Sequence, residues 1–206
     1  MEKTVNTNLK ADLYVELAQL VSAVVLVGFL WTHMLFLAVI LLGMGTFDRF
    51  AAFLDRYWLS YLGIPVVIAA AFVHVFAVCR RIPTRYREFW RHVRLVNHTD
   101  TWIWVFQLFT ALGVGALAGI HVASILTGWP IRALQSADRI HTYWWFYLLL
   151  LVFGEYHAGF GLYRVFVKWG WINRHTVSWV TKTVSAVIFG LGLVILWVFA
   201  QLGGAL

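Results

Sequence analysis

Eight histidines occur in the 206-residue chain, and four of them, His33, His74, His121 and His157, lie inside long runs almost free of charge. A neutral imidazole in such surroundings offers one ring nitrogen to a metal or to a neighbouring helix. For any single histidine the bond to a neighbouring helix is the commoner role. Here the four fall once on each of four runs, an arrangement that structural hydrogen bonding does not need. Two metal centres, each gripped by histidines from different helices, do need it. Cys79 is the single cysteine, so neither a disulfide framework nor a thiolate-bound cluster is available. Zinc prefers four ligands in a tetrahedron, and no cysteine or carboxylate accompanies the histidines. Iron in a b-type haem asks for two axial imidazoles within a helical bundle, so two haem b groups are what the pattern predicts.

The elements that must carry these residues follow from composition. Hydrophobic residues make up 62% of the chain, aromatic ones 17% and charged ones 12%, against about 25% charged in soluble domains. A water-soluble domain is excluded. Stretches without Asp, Glu, Lys or Arg run over 17–47, 57–79, 101–131 and 183–206, and 140–163 carries only Glu155. Each is long enough to cross a bilayer, which takes about 20 apolar residues. Lipid leaves backbone polar groups no partner, so the spans are helices, and runs this evenly apolar do not fit a barrel. The sequence predicts an all-α integral membrane bundle, one domain over 1–206, with five transmembrane helices near 17–42, 58–79, 102–127, 142–164 and 177–202 joined by short loops. The polar N-terminal segment lacks a cleavage site and is expected to be retained.

The net charge of +7 does not point to nucleic acid once the basic residues are placed. With the N-terminus cytoplasmic, inner segments hold Lys3, Lys10, Arg80, Arg81, Arg85, Arg87, Arg91, Arg94, Arg164, Lys168, Arg174 and Lys182, whereas outer loops hold Arg49, Arg56, Arg132 and Arg139. That bias sets the orientation by the positive-inside rule. At about 1.5 Å of rise per residue, His33 and His121 lie roughly 14 and 9 Å below the outer boundary, and His74 and His157 roughly 9 to 11 Å above the inner one. Depth therefore pairs His33 with His121 and His74 with His157, in layers roughly 15 Å apart. His92, His98 and His175 fall in inner loops and His141 at the outer mouth of the fourth span.

Other residues near these layers carry two readings each. Gly28, Gly119, Ala158, Gly159 and Gly161 give a porphyrin room or pack helices together, with Gly115 and Gly119 as a small-xxx-small pair. Arg49, Arg80, Arg81, Arg164, Lys168 and Lys182 lie near the expected propionates, and as topology determinants they have a second reason to be there. Glu155 is the one acid inside a span and points about 200° around the helix from His157. It is a candidate for proton transfer, the alternative being a neutral acid bonded to a neighbouring helix.

Four segments carry a resemblance: THMLFLAVILLG around His33, HVFAVCRRIPTRYREF from His74, NHTDTWIWVFQ leading to His121, and GEYHAGFGLYRVFVKWGW around His157. They resemble the dihaem cytochrome b membrane anchors of the quinol:fumarate reductase and succinate:quinone oxidoreductase family. By that resemblance His33 and His121 bind the outer (distal) haem and His74 and His157 the inner (proximal) one, and Glu155 matches the family's helical glutamate of proton transfer. The resemblance implies menaquinol as substrate, a bacterial cytoplasmic membrane, and cytoplasmic partners: a flavoprotein with FAD and an iron-sulfur subunit. A dimer of heterotrimers is an option that the ligand-free fifth span leaves open. The family carries a glutamate near the outer start of the second helix, but none occurs between residues 17 and 87. Asp48, Asp55 and Tyr61 are the candidates to replace it, and Trp58 either lines the quinone pocket or belongs to the interfacial aromatic belt. The competing functions are a haem-b subunit of a hydrogenase or formate dehydrogenase, and a haem-free transporter or structural anchor.

Overall fold

The computed structural model describes residues 9–80, 90–91, 94, 99–170 and 172–205. Among the described residues, five helices are long and apolar enough to cross a membrane, over Lys10–Leu42, Leu59–Cys79, Thr101–Thr127, Trp144–Trp169 and Arg174–Gly204. The elements in chain order are α1 (Leu9–Leu37) continued by a 3-10 turn (Ala38–Leu42), α2 (Met44–Arg56), α3 (Leu59–Cys79), α4 (Thr99–Thr127), α5 (Ala133–Thr142), α6 (Trp144–Trp169) and α7 (Arg174–Gly204). Phe72, Phe76, Leu112 and Val187 are well exposed. Such rows would be a liability in water and are what a spanning helix presents to lipid.

The connections expected as short loops differ at one end of the bundle, where residues 44–56 and 133–142 form helices. Charges interrupt both segments, so a search for unbroken apolar length passes over them. Their apolar residues recur instead at helical spacing. In α5, Ala133, Ala137 and Ile140 form one buried stripe, and α5 lies against α7, with His141 Nδ1 3.0 Å from the Ala200 carbonyl. In α2, Phe47 turns inward and meets Phe199 edge to face, ring centroids 5.6 Å apart. The main core thus joins Met34, Ile40, Phe47, Ile188, Ile195 and Phe199 to the α5 stripe. Gly43 makes the turn into α2 at a φ of 99°, a conformation that side chains beyond glycine adopt at a cost.

Asp48 ties the two short helices together. Its carboxylate accepts a 2.8 Å hydrogen bond from the backbone N–H of Ala133, the first residue of α5, satisfying one of the orphan donors that open a helix. Asp48→Ala leaves that N–H unpaired and is expected to cost about 1 to 3 kcal/mol, read as a lower Tm of the detergent-solubilised protein. An unchanged Tm would remove this capping role.

At the opposite end lie Lys10, Arg80, Lys168, Arg174 and Lys182, which we term the basic end. Asn173 caps α7 there, its side chain accepting from the Thr176 N–H at 2.8 Å, and Lys168 pairs with Glu16 of α1 at 2.8 Å. Packing couples α1 with α3, α4 with α6, and α6 with α7. Among the described residues, α1 and α4, like α3 and α6, approach each other little along their backbones. The α1–α3 pair thus faces the α4–α6 pair, with α1 also packed against α6.

Candidate haem sites

The four intramembrane histidines meet in pairs between those two helix pairs. His33 of α1 faces His121 of α4 with ring centroids 6.3 Å apart and planes at 64°. His74 of α3 faces His157 of α6 at 6.4 Å and 89°. An imidazole nitrogen binds a first-row metal at about 2.0 Å and lies roughly 1.1 Å from its ring centre, so two trans ligands on one ion place their centroids about 6.2 Å apart. Both separations fit axial ligation of one iron each. Among the described residues no group of three His, Cys, Asp or Glu side chains gathers to hold a metal.

Hydrogen bonds fix which ring nitrogen is left for the metal in the layer nearer the basic end. The Ser22 hydroxyl donates to the Ala18 carbonyl at 2.6 Å, so its lone pair faces His74 Nδ1 at 3.2 Å. The Gln107 carbonyl lies 3.3 Å from His157 Nδ1 and can only accept. Thr110 Oγ1, which donates to the Phe106 carbonyl, stands 3.5 Å from the same nitrogen. A proton on each Nδ1 satisfies these acceptors, and in that tautomer both Nε2 atoms would keep a lone pair for ligation. Gln107 closes the arrangement by donating from Nε2 to the His157 carbonyl at 3.1 Å.

The other layer is held by packing. Phe29 stacks on His33 at 5.4 Å, and Tyr147 meets His121 edge to face at 5.8 Å. His121 Nδ1 is buried without a hydrogen-bond partner. Arg139 reaches over from α5, donating from Nη1 to the carbonyl of Ser124 at 2.8 Å, whose hydroxyl in turn donates to the His121 carbonyl at 2.7 Å. The sequence gives no hint of this arginine because its place depends on α5 folding back over α4.

Ser22, Thr110 and Gln107 are likewise absent from the sequence expectations, although a signal exists. Ser22 precedes His33 by eleven residues and Thr110 precedes His121 by eleven. Eleven residues are about three turns, so each hydroxyl shares a helix face with a histidine, roughly 16 Å along the axis. Each contacts the histidine of the other layer on the adjacent helix.

The expected propionate contacts scatter. Arg49 donates to Thr46 Oγ1 at 3.2 Å, and the Arg80 guanidinium lies 6.0 Å over the Phe76 ring. Lys168 is engaged with Glu16, Arg164 and Lys182 are exposed on α6 and α7, and Arg81 lies outside the described residues. The glycines divide as well. A Cβ on Gly28, Gly115 or Gly119 would meet nothing within 4 Å, while Gly159 and Gly161 pack against Ser185 and Gln107. Glu155 is buried and turned towards Ser185 and Trp31.

Of the quinone candidates, Asp48 is occupied as the cap of α5. Asp55 lines a cleft of about 290 Å³ with Ala52, Arg56, Pro130, Ile131 and Arg132. Beside it, Tyr61 contacts Trp58 at 5.4 Å and Trp129 at 5.5 Å, and Trp129 Nε1 is buried with no hydrogen-bond partner. Trp58 holds a left-handed φ of 60°, a strain that costs about 1 to 3 kcal/mol and clusters at functional sites.

No family model matches the chain. It is similar to the fumarate reductase cytochrome b subunits of two strains of Helicobacter pylori, each 31% identical over 189 residues, spanning 84% of this chain and 74% of the relative. It is also 33% identical over 162 residues to the fumarate reductase cytochrome b subunit of Wolinella succinogenes, spanning 72% of this chain and 63% of that one. By this likeness, over most of its length and on five membrane-crossing helices, the chain belongs to the family of fumarate reductase cytochrome b subunits, multi-pass membrane anchors of an electron-transport complex.

Proposed function

We propose that the chain is the quinol-oxidising dihaem anchor of a quinol:fumarate reductase, with haem iron held by His33 and His121 in one layer and by His74 and His157 in the other. The observation that carries this reading is the pair of ring separations, 6.3 and 6.4 Å, each matching two imidazoles on one ion. When bound, haem b supplies a one-electron carrier at each layer. The protein's part is to fix the ligands. Ser22 and Gln107 hold the Nδ1 protons of His74 and His157, setting ring orientation and ligand basicity. Phe29 and Tyr147 hold the rings of His33 and His121 by contact. Arg139 is placed to hold a propionate of the His33 layer, and Lys168 one of the His74 layer in exchange with Glu16.

The basic end is the cytoplasmic side by the positive-inside rule, which puts the N-terminus inside and Asp55, Trp58, Tyr61 and Trp129 outside. Menaquinol entering there gives up two electrons and two protons. Asp55 accepts the two protons in turn, releasing each to the outer side before taking the next, the Trp129 indole N–H is a donor to a quinol oxygen, and Trp58 and Tyr61 wall the ring. Glu155, away from the ligand face of α6, carries a compensating proton, which offsets moving charge against a potential worth about 2.3 kcal/mol per charge per 100 mV. On the cytoplasmic side the iron-sulfur subunit docks on the basic end and passes electrons to the flavoprotein, whose FAD carries out the fumarate chemistry.

A pyridine haemochrome assay on the purified complex tests the reading. Two b-type haems per copy of this chain, titrating with two midpoint potentials, is the expected result. One haem or none would end the dihaem assignment.

A further inference from the structure

Between α1 and α3, on the face turned away from the histidines, lies a hollow of about 380 Å³ lined by Tyr14, Ala18, Phe72, Phe76 and Ala77. Ala77 is buried and Ala18 half-buried, so small side chains form the floor, and the exposed rings of Tyr14, Phe72 and Phe76 form the rim. Phe72 and Phe76 stand two residues to either side of His74, about 200° around α3 from it. The hollow therefore opens to lipid and not to the candidate haem sites. Hydrocarbon suits it, because water on so apolar a floor finds no hydrogen-bond partners. Both walls run into a cation at the basic end. Lys10, Tyr14 and Ala18 follow at intervals of about one turn on α1, as Phe72, Phe76 and Arg80 do on α3, so each cation stands about 12 Å along the helix from the far residue of its row. Both cations are exposed, and the Arg80 guanidinium lies 6.0 Å over the Phe76 ring. The acids of α1 lie elsewhere: Asp12 and Glu16 are each two residues from Tyr14, about 200° around the helix, and Glu16 is engaged with Lys168 of α6.

We propose that this hollow is a binding site for an anionic phospholipid, with an acyl chain lying over Ala18 and Ala77 between the three rings and the head group held by Lys10 and Arg80. Two cations above an apolar floor complement a molecule that joins a negative head to a hydrocarbon tail, and basic pockets between membrane helices take such head groups. Tyr14, near the boundary, turns its hydroxyl to the same level, as aromatic-belt residues do. A protein partner fits less well, since the floor extends about 12 Å into the span from the cations, within reach of an acyl chain and not of a soluble subunit. The site uses neither the ligand histidines nor Glu155. A lipid seated there bridges α1 and α3, the two helices that carry His33 and His74.

The test is native mass spectrometry of the intact complex, stripped of co-purified lipid and titrated with phosphatidylglycerol or with phosphatidylcholine. Phosphatidylglycerol is expected to be retained in preference, and Lys10→Gln and Arg80→Gln each to weaken its binding about fivefold, the share of one cation near a charged lipid. Ala18→Phe fills the floor and is expected to lose the bound lipid with the haem spectrum unchanged. Lys182→Gln removes a cation of the same end from α7 and is expected to leave binding as it was. Equal retention of the two lipids, parental binding in both charge variants, or the same loss in Lys182→Gln as in Arg80→Gln overturns the site. Parental binding in Ala18→Phe overturns the hollow as the seat of the chain. An intact complex that retains no phospholipid, its α1–α3 face covered by a protein subunit instead, overturns the proposal as well.

Discussion

Replacing His33 or His121 by leucine removes the haem of that layer and spares the other, so the reduced-minus-oxidised absorbance of the purified complex falls by about half and one midpoint potential disappears. His74→Leu and His157→Leu remove the other potential. The expectation follows from two separate ring pairs: under the proposed ligation, losing one ring of a pair would leave one iron with a single protein ligand, while the second pair would keep both. The side chains that seat each pair also differ, Ser22, Gln107 and Thr110 for one and Phe29 and Tyr147 for the other. Damage in one layer therefore need not spread. Equal loss of both haems in every variant would contradict the pairing.

Glu155→Gln keeps both haems, because the side chain points away from the ligands, and slows quinol-linked fumarate reduction by about a hundredfold, the low side of what a positioned proton carrier contributes. Fumarate reduction driven by a soluble dye that feeds the partner subunits directly is expected to stay unchanged. Glutamine preserves volume and hydrogen bonding while removing the exchangeable carboxyl proton, so the comparison isolates proton carriage from packing. Parental quinol-linked turnover in Glu155→Gln would leave the residue a packing role.

The spans were legible because lipid forbids unpaired backbone and so forces long apolar helices. Their ends moved by a few residues, and the first helix begins at Leu9 where residue 17 was expected. The helices at 44–56 and 133–142 were not legible by the same route, since Asp48, Arg49, Asp138 and Arg139 break the apolar run while the buried stripe survives at helical spacing. Depth along the helices brought His33 with His121 and His74 with His157 as candidates, and the rings of those pairs lie 6.3 and 6.4 Å apart with their planes steeply inclined. Charge was a poorer guide. A basic residue near a membrane boundary has several partners in reach, so Arg49 went to Thr46, Arg80 to the Phe76 ring and Lys168 to Glu16, whereas Arg139 reached the Ser124 carbonyl one turn from His121. Asp48 illustrates the same ambiguity: a carboxylate at the mouth of a bundle suits a ligand or a helix start equally, and tertiary packing chose the latter.

The eleven-residue interval between hydroxyl and imidazole on α1 and on α4 works as a molecular ruler. One insertion or deletion between residues 22 and 33, or between 110 and 121, would swing one end of the ruler by about 100° and unseat one layer while the other stayed in register. Length variation among natural relatives of this chain should therefore be purged from those two intervals and collect in the connections between spans.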